Sequence, residues 1–473
     1  MPDGTVPLAS RCGSRVLVLP QGTARLLAPH LPPPADIRVV AGAPQGGGTE
    51  AWRFETSGGA EIDLPLSAAR AWERPPYAML VRLTVDDRDH HPERDTREDR
   101  RIIAEAVIGT RGEFGALLDK LVSTMAALLR SGLDDRATGR TAAPPPPAPA
   151  WRPPLRLALL QGRLRRAARR WQERLLVERW AVGVVAQSLG SLVEGEPLAP
   201  AAWIESGQLG DLADPHPWPG TTRILCEEIL RDPPGLGRIV ALELDLGPPA
   251  RVSRATPLLG GRMHRSFPGA NAHEGRTLLL PETPVRGETT IYALAGDGGL
   301  TPICQVAPHL RMADPTLFWH GGLTWIAYTD LDLGTHDNLC LLHAPDVHGP
   351  WQPHRRNPVK VDIRSARPAG PLLRHRGALY RPAQDCARAY GSAVVIHRVE
   401  ALTTELFREV PVRRVEPRRD GRFPHGLHTL AAHGDDHILI DGKRLSLQPA
   451  ALAAKAYRRV APHLRKSEVP ADA

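Results

Sequence analysis

From about Trp180 onward, short apolar segments alternate with clusters of Gly, Pro, Asp and Asn, and no stretch of helical periodicity comes between them. The segments include TRILCEEI, GRIVALELD, GRTLLLPET, TTIYALAG, GLTWIAYTD, NLCLLHAP, GALYRPAQD, SAVVIHRVE and DDHILIDGK. Strands this dense, joined only by turns, restrict this part of the chain to an all-β architecture.

The strand-rich part also repeats. Ala-Asp-Pro stands at 213–215 and again at 313–315, 100 residues later. His264, in HRSFP, lies 50 residues after Asp214 and 50 before Asp314; Arg367, in ARPAG, follows Asp314 by 53, and His428, in HGLHT, follows Arg367 by 61. A propeller blade of four strands takes about 40–50 residues. Five polar landmarks at this spacing predict a five-bladed β-propeller over residues 180–473, with all five side chains converging on one central pocket.

The earlier chain reads differently. SRVLVLP, DIRVVAGAP and YAMLVRLTV are nearly continuous apolar runs, as in strands covered on both faces. In EFGALLDKLVSTMAALLRSG, Phe114, Leu117, Leu118, Leu121, Met125, Leu128 and Leu129 form one helical stripe, with Gly132 as the expected stop. Residues 1–140 are thus expected to form a small α/β domain. The proline run at 141–154 is an extended linker. Residues 155–179 are expected as a basic amphipathic helix, with Leu160, Leu164, Ala168, Trp171 and Leu175 on one stripe and five arginines elsewhere. The fold class expected of the whole is mainly β.

Composition excludes several classes. No run approaches the ~20 apolar residues of a membrane span, and the first twenty residues lack the form of a signal peptide. The five cysteines include no C-x-x-C pair, so neither structural zinc nor a disulfide scaffold is read, and a reducing cytoplasm is the expected compartment. No metal site is expected: His90-His91 lies in a loop-like polar run. No phosphate-cradling Gly-rich motif is present, and no cofactor is expected. The net charge of +8 is spread along the chain without a nucleic-acid motif. A nucleic-acid or membrane-surface binder is therefore carried only as a second alternative, and no nucleic acid is expected as partner.

In order along the chain stand A-D-P, H-x-S-[FY]-P, P-E-T, a second A-D-P, H-G-P-W-x-x-H-x-x-N-P-V, A-R-P-A-G, R-P-A-Q-D followed by Y-G, and H-x-x-H-T. This order resembles the N-terminal domain of the plant glucosamine inositolphosphorylceramide transferases, which bacterial proteins share, and which is similar to the five-bladed propellers of family 43 and family 32 glycoside hydrolases. The resemblance covers about residues 180–445. It implies a glycan or sugar conjugate as ligand. The plant proteins add a glycosyltransferase domain after the propeller; with this sequence closing at Ala473, that activity is not carried over. Bacterial relatives often place a formyltransferase-like region in front, but residues 1–140 lack the Asn, His and Asp set of such enzymes.

Glycoside hydrolysis needs one carboxylate to activate water and another to protonate the leaving oxygen, often with a third that tunes a neighbour's pKa. The resemblance assigns Asp214 as base and Asp314 as tuner; the bland reading of each is a turn carboxylate before proline. The acid is left between Glu282, in LPETP, and Asp385, in RPAQD. His264, Arg367, Gln384, Asp385 and His428 fit sugar or anion binding, against a plain reading as buried struts or core histidines. The alternative function is a non-catalytic carbohydrate-binding or assembly module. Cys386 and Trp351 are read as packing residues.

Overall fold

In the computed structural model the described residues comprise most of 176–447, with breaks at 232–234, 246–249 and 420, and parts of 15–136. The proline linker, His90-His91 and the helix expected from residue 155 lie outside them as far as residue 175. Residues 176–179 are not helical: they open a strand.

The chain is mainly β and divides into two compact units: residues 1–166 with 336–338 and 358–364, and the remainder. The first unit has a sheet of order β2-β1-β3-β4-β5, formed by β1 (Arg15–Leu19), β2 (Ile37–Ala41), β3 (Glu50–Thr56), β4 (Ala78–Asp86) and β5 (Arg100–Gly109). β1 is parallel to β2 and β3, and the other pairs are antiparallel. Helix α1 (Phe114–Arg136) runs through Gly132 rather than stopping there. It buries Leu117, Leu121, Met125 and Leu129 with Trp52, Phe54 and Leu83, the face its apolar periodicity requires. The later chain also contributes to this unit. Asp337 accepts hydrogen bonds from the Gly109 N–H at 3.0 Å and from Lys120 Nζ at 2.8 Å.

The second unit opens with β6 (Leu176–Ala186), the short helix α2 (Leu189–Val193) and β7 (Ala201–Trp203). Three antiparallel sheets then follow in sequence. The first holds β8 (Asp211–Pro217), β9 (Ile224–Ile229), β10 (Gly237–Asp245) and β11 (Arg251–Leu259). The second holds β12 (Ser266–His273), β13 (Arg276–Glu282), β14 (Thr290–Leu294) and β15 (Leu300–Gln305). The third holds β16 (Met312–His320), β17 (Leu323–Asp330), β18 (Asn338–Ala344) and β19 (Gln352–Pro353). The two-residue strand β20 (Lys360–Val361) falls in the stretch grouped with the first unit. The fourth sheet holds β21 (Leu373–His375), β22 (Ala378–Asp385), β23 (Ala393–Leu402) and β24 (Phe407–Val415). The last sheet joins both ends of the unit in the order β25-β26-β6-β7. In it β25 (Leu430–His433) and β26 (His437–Leu447) come from the end of the unit. β26 pairs with β6 along its whole length, from His437 opposite Ala186 to Leu447 opposite Leu176. No helix among the described residues is long and apolar enough to cross a membrane.

The first strands of three sheets share one irregularity. Their registers shift between Ala213 and His216, between Ser266 and Gly269, and between Ala313 and Thr316. At each bulge a residue before proline takes a left-handed backbone: Asp214 at φ 49°, Phe267 at 45° and Asp314 at 49°. Such a φ is costly for a residue other than glycine and persists only where surrounding contacts enforce it. The repeat is therefore conformational. Its second member is Phe267, three residues beyond the His264 chosen from the spacing of polar residues.

Candidate functional site

The bulges aim backbone N–H groups at carboxylates. Asp214 N–H donates to Asp441 Oδ2 at 3.2 Å, Phe267 N–H to Asp214 Oδ2 at 3.2 Å, and Asp314 N–H to Glu282 Oε2 at 2.8 Å. The fourth landmark adds a side chain. Arg367 lies in the segment leading to β21 and forks onto Asp314, Nε to Oδ2 at 2.5 Å and Nη2 to Oδ1 at 3.1 Å. The Gln384 amide donates to the same Oδ2 at 2.7 Å and to the Pro368 carbonyl at 2.9 Å. Arg367 Nη2 also lies 3.9 Å from Glu282, and its guanidinium sits 5.1 Å from the Tyr390 ring centre.

The fifth landmark completes the group. Asp441 Oδ1 accepts the N–H groups of His428 and Thr429 at 2.9 and 3.0 Å. His428 stands between two carboxylates, Nδ1 2.5 Å from Asp441 and Nε2 3.4 Å from Asp214. The Thr429 hydroxyl donates to Asp214 Oδ1 at 2.8 Å. All five carboxylates of this centre are buried: Asp214, Glu227, Glu282, Asp314 and Asp441 range from 0 to 8% exposed.

Burial penalises every one of these charges, so the neighbours decide which are kept. Burial raises Asp214 to about 6, against the pull of His428 and the Thr429 hydroxyl. Burial and the surrounding carboxylates push Glu227 and Glu282 well up. At Asp314 burial is outweighed by the Arg367 fork, and the group is held below the ordinary carboxylate value. Asp441 is lowered in the same way by His428 and two backbone donors. His216, on β8, is pushed down to about 4 by burial and stays neutral. The surroundings thus push carboxyl groups of one centre in opposite directions, the division that acid–base chemistry requires.

A pH dependence follows. The Asp214 pKa is higher in the folded chain, about 6 against 3.8. Its stabilising contribution is fully present below 3.8 and is lost as pH rises through 6. The difference in urea midpoint between wild type and Asp214→Asn is therefore expected to fall as pH rises from 4 to 6. A constant difference across that window would show that burial does not raise this group.

The structure brings Asp214, Glu282, Asp314, Arg367, Gln384 and His428 together. The other two candidates lie apart. His264 accepts a hydrogen bond from Gly237 N–H at 3.0 Å and reaches the centre only at Glu227, 3.3 Å away; its side chain is 37% exposed. Asp385 pairs with Arg414 on β24, the next strand but one, and accepts the Ala387 N–H. Side chains alternate across a strand, so Gln384 and Asp385 cannot face the same way. Glu227 and Asp441 were missed. Their signal is a carboxylate inside an otherwise apolar strand, in ILCEEI and HILIDGK. Cys386 is buried, with its thiol pushed up to about 11, and Trp351 packs against an apolar cluster.

Fold and centre together define a mainly β protein whose second unit, built of antiparallel sheets with bulged first strands, gathers carboxyl groups. Residues 256–429 match the family described as glucosamine inositolphosphorylceramide transferase 1, N-terminal. The match takes in Glu282, Asp314, Arg367, Gln384 and His428, and leaves Asp214 and Asp441 outside. The glucosamine inositolphosphorylceramide transferase 1 proteins of Oryza sativa subsp. indica and Arabidopsis thaliana are each 30% identical over 165 residues, 34% of this chain and 22% of theirs. The chain thus spans about a fifth of those relatives, which are plant proteins and lend no support to a bacterial source. Among solved structures, a thermostable family-43 glycoside hydrolase is 14% identical at a TM-score of 0.35, covering 48% of this chain and 84% of that one. The catalytic domain of Coprinopsis cinerea GH62 alpha-L-arabinofuranosidase is 12% identical at 0.37, covering 55% and 85%.

Proposed function

We propose that residues 180–473 form a five-bladed β-propeller behind a small α/β domain, and that its centre acts on a glycan or sugar conjugate. The substrate class comes from the relatives' name as sugar-conjugate transferases. The chemistry rests on one observation: Asp214, Glu282 and Asp314 share a buried centre in which burial raises the first two carboxyl groups and the Arg367 fork lowers the third. In this reading Glu282 is the acid that gives its proton to the leaving oxygen. Asp214, ionised above about pH 6, takes a proton from the attacking hydroxyl or water. Asp314 touches neither and is held ionised by Arg367, so that its negative field keeps Glu282 protonated. Asp385, committed to Arg414, is set aside as the acid. No cofactor or nucleic acid enters the reading, and the cytoplasm is the proposed compartment.

A second reading, a non-catalytic carbohydrate-recognition module, is favoured by the low exposure of the centre and the Arg367 fork on Asp314. Release of 4-nitrophenol from a panel of aryl glycosides, together with glycan-array binding by the full chain, separates the two. Turnover supports the first. Array binding without turnover on any glycoside supports the second, and neither activity would sink both.

A further inference from the structure

His428 is enclosed by charged and aromatic groups from every element around it. β26 supplies Asp441 against Nδ1, and β8 supplies Asp214 against Nε2. Trp180, on β6, lies 4.2 Å from the imidazole between ring centres, and Tyr390 meets it edge-on at 5.1 Å. Lys443, also on β26, is 5.2 Å from the Trp180 ring and 5.7 Å from the Tyr390 ring, and donates to the Tyr390 carbonyl. Asp314 adds a more distant negative charge. The imidazole thus faces two cations across aromatic rings, Lys443 and, over the Tyr390 ring, Arg367, together with three carboxyl groups.

Asp441 ties this arrangement together. It is fully buried, and its two oxygens hold the backbone of His428 and Thr429 on one side and of Asp214 on the other. One side chain therefore fixes the residue that bears the imidazole, the residue that bears the hydroxyl bonded to Asp214, and the bulge that presents Asp214. We infer that Asp441 is a positioning residue that, through His428, orients the Asp214 carboxylate and sets its charge. A buried carboxylate beside an imidazolium is stabilised as the anion, and Asp441 in turn supports the imidazolium. Burial alone would lower His428, but Asp441 and Asp214 outweigh it and raise it. The inference rests on the reading of Asp214 as the proton acceptor, yet its test requires no turnover.

The test is a titration of the full chain carrying 15N-labelled histidine and 13C-labelled aspartate carboxyl groups, with resonances assigned from His428→Gln and Asp214→Asn. In wild type the His428 midpoint should lie above the ordinary 6.5. Asp441→Asn should lower it by about 1–3 pH units, the effect of removing an adjacent opposite charge. In His428→Gln the Asp214 midpoint should rise from about 6 by about 1 unit or more. A merely structural Asp441 would leave the His428 midpoint unmoved in Asp441→Asn. A wild-type His428 midpoint at or below 6.5, or an Asp214 midpoint unchanged in His428→Gln, overturns the proposal. Both of these measurements stand even where Asp441→Asn fails to fold. Glycoside turnover bears on the function alone, so failure of the positioning role of Asp441 and failure of the enzyme reading remain distinguishable.

Discussion

Asp214→Asn is expected to abolish nearly all glycoside turnover while leaving glycan binding within a few-fold of wild type. The substitution keeps the side chain's shape and one accepting oxygen, which serves the Phe267 N–H, while the amide NH2 faces the Thr429 hydroxyl, which then accepts instead of donating. What it removes is the negative charge. Loss of a general base costs about 100-fold to 10,000-fold in rate. The backbone at Asp214 is left-handed, and Asn tolerates that region about as well as Asp, so folding should be little affected at pH 7. The measurement is kcat on whichever aryl glycoside wild type cleaves, with the urea midpoint as control. If kcat falls by less than about 10-fold, Asp214 is not the base. Should affinity fall with turnover unchanged, its role is recognition.

The largest effect on stability is expected at Arg367. Its guanidinium is the main counter-charge of Asp314 and also faces Glu282. Arg367→Met fills similar volume but leaves a buried carboxylate without its cation. Breaking one side of a buried ion pair costs about 3–5 kcal/mol. Asp314 is then expected to regain a proton on folding, so the loss should shrink as pH is lowered toward 4, where protonation comes more cheaply. Arg367→Met combined with Asp314→Asn should recover much of the loss, because no buried charge is then stranded. Urea unfolding with an unchanged slope reads both variants. A single variant within about 1 kcal/mol of wild type would mean that water reaches Asp314 and screens it.

The two variants probe features of unequal legibility in the sequence. Asp214 and Asp314 stand out because each sits in an identical tripeptide 100 residues apart, and their shared left-handed bulge explains why the tripeptide recurs. Phe267 occupies the same bulge in the second sheet but carries no charge, so the spacing of polar residues points to His264 instead. Gln384 and Asp385 are adjacent, and both were candidates. Only strand alternation in the folded sheet sends one to the centre and the other to Arg414. Glu227 and Asp441 look like ordinary strand carboxylates until their burial is seen.

The sequence by itself determined the mainly β character from about residue 180, the near-50-residue recurrence, and the strands β1, β2 and β4 with the apolar face of α1. These are matters of local period and turn chemistry, which adjacent residues encode. The tertiary structure alone decided the pairing of β6 with β26, the meeting of Asp214 with Asp441 across 227 positions, and which carboxyl groups keep their protons. Those outcomes depend on groups far apart in the chain. Whether a buried carboxylate stays charged is set by the cation and N–H donors that folding brings within about 3 Å of it, and no local pattern records which these will be.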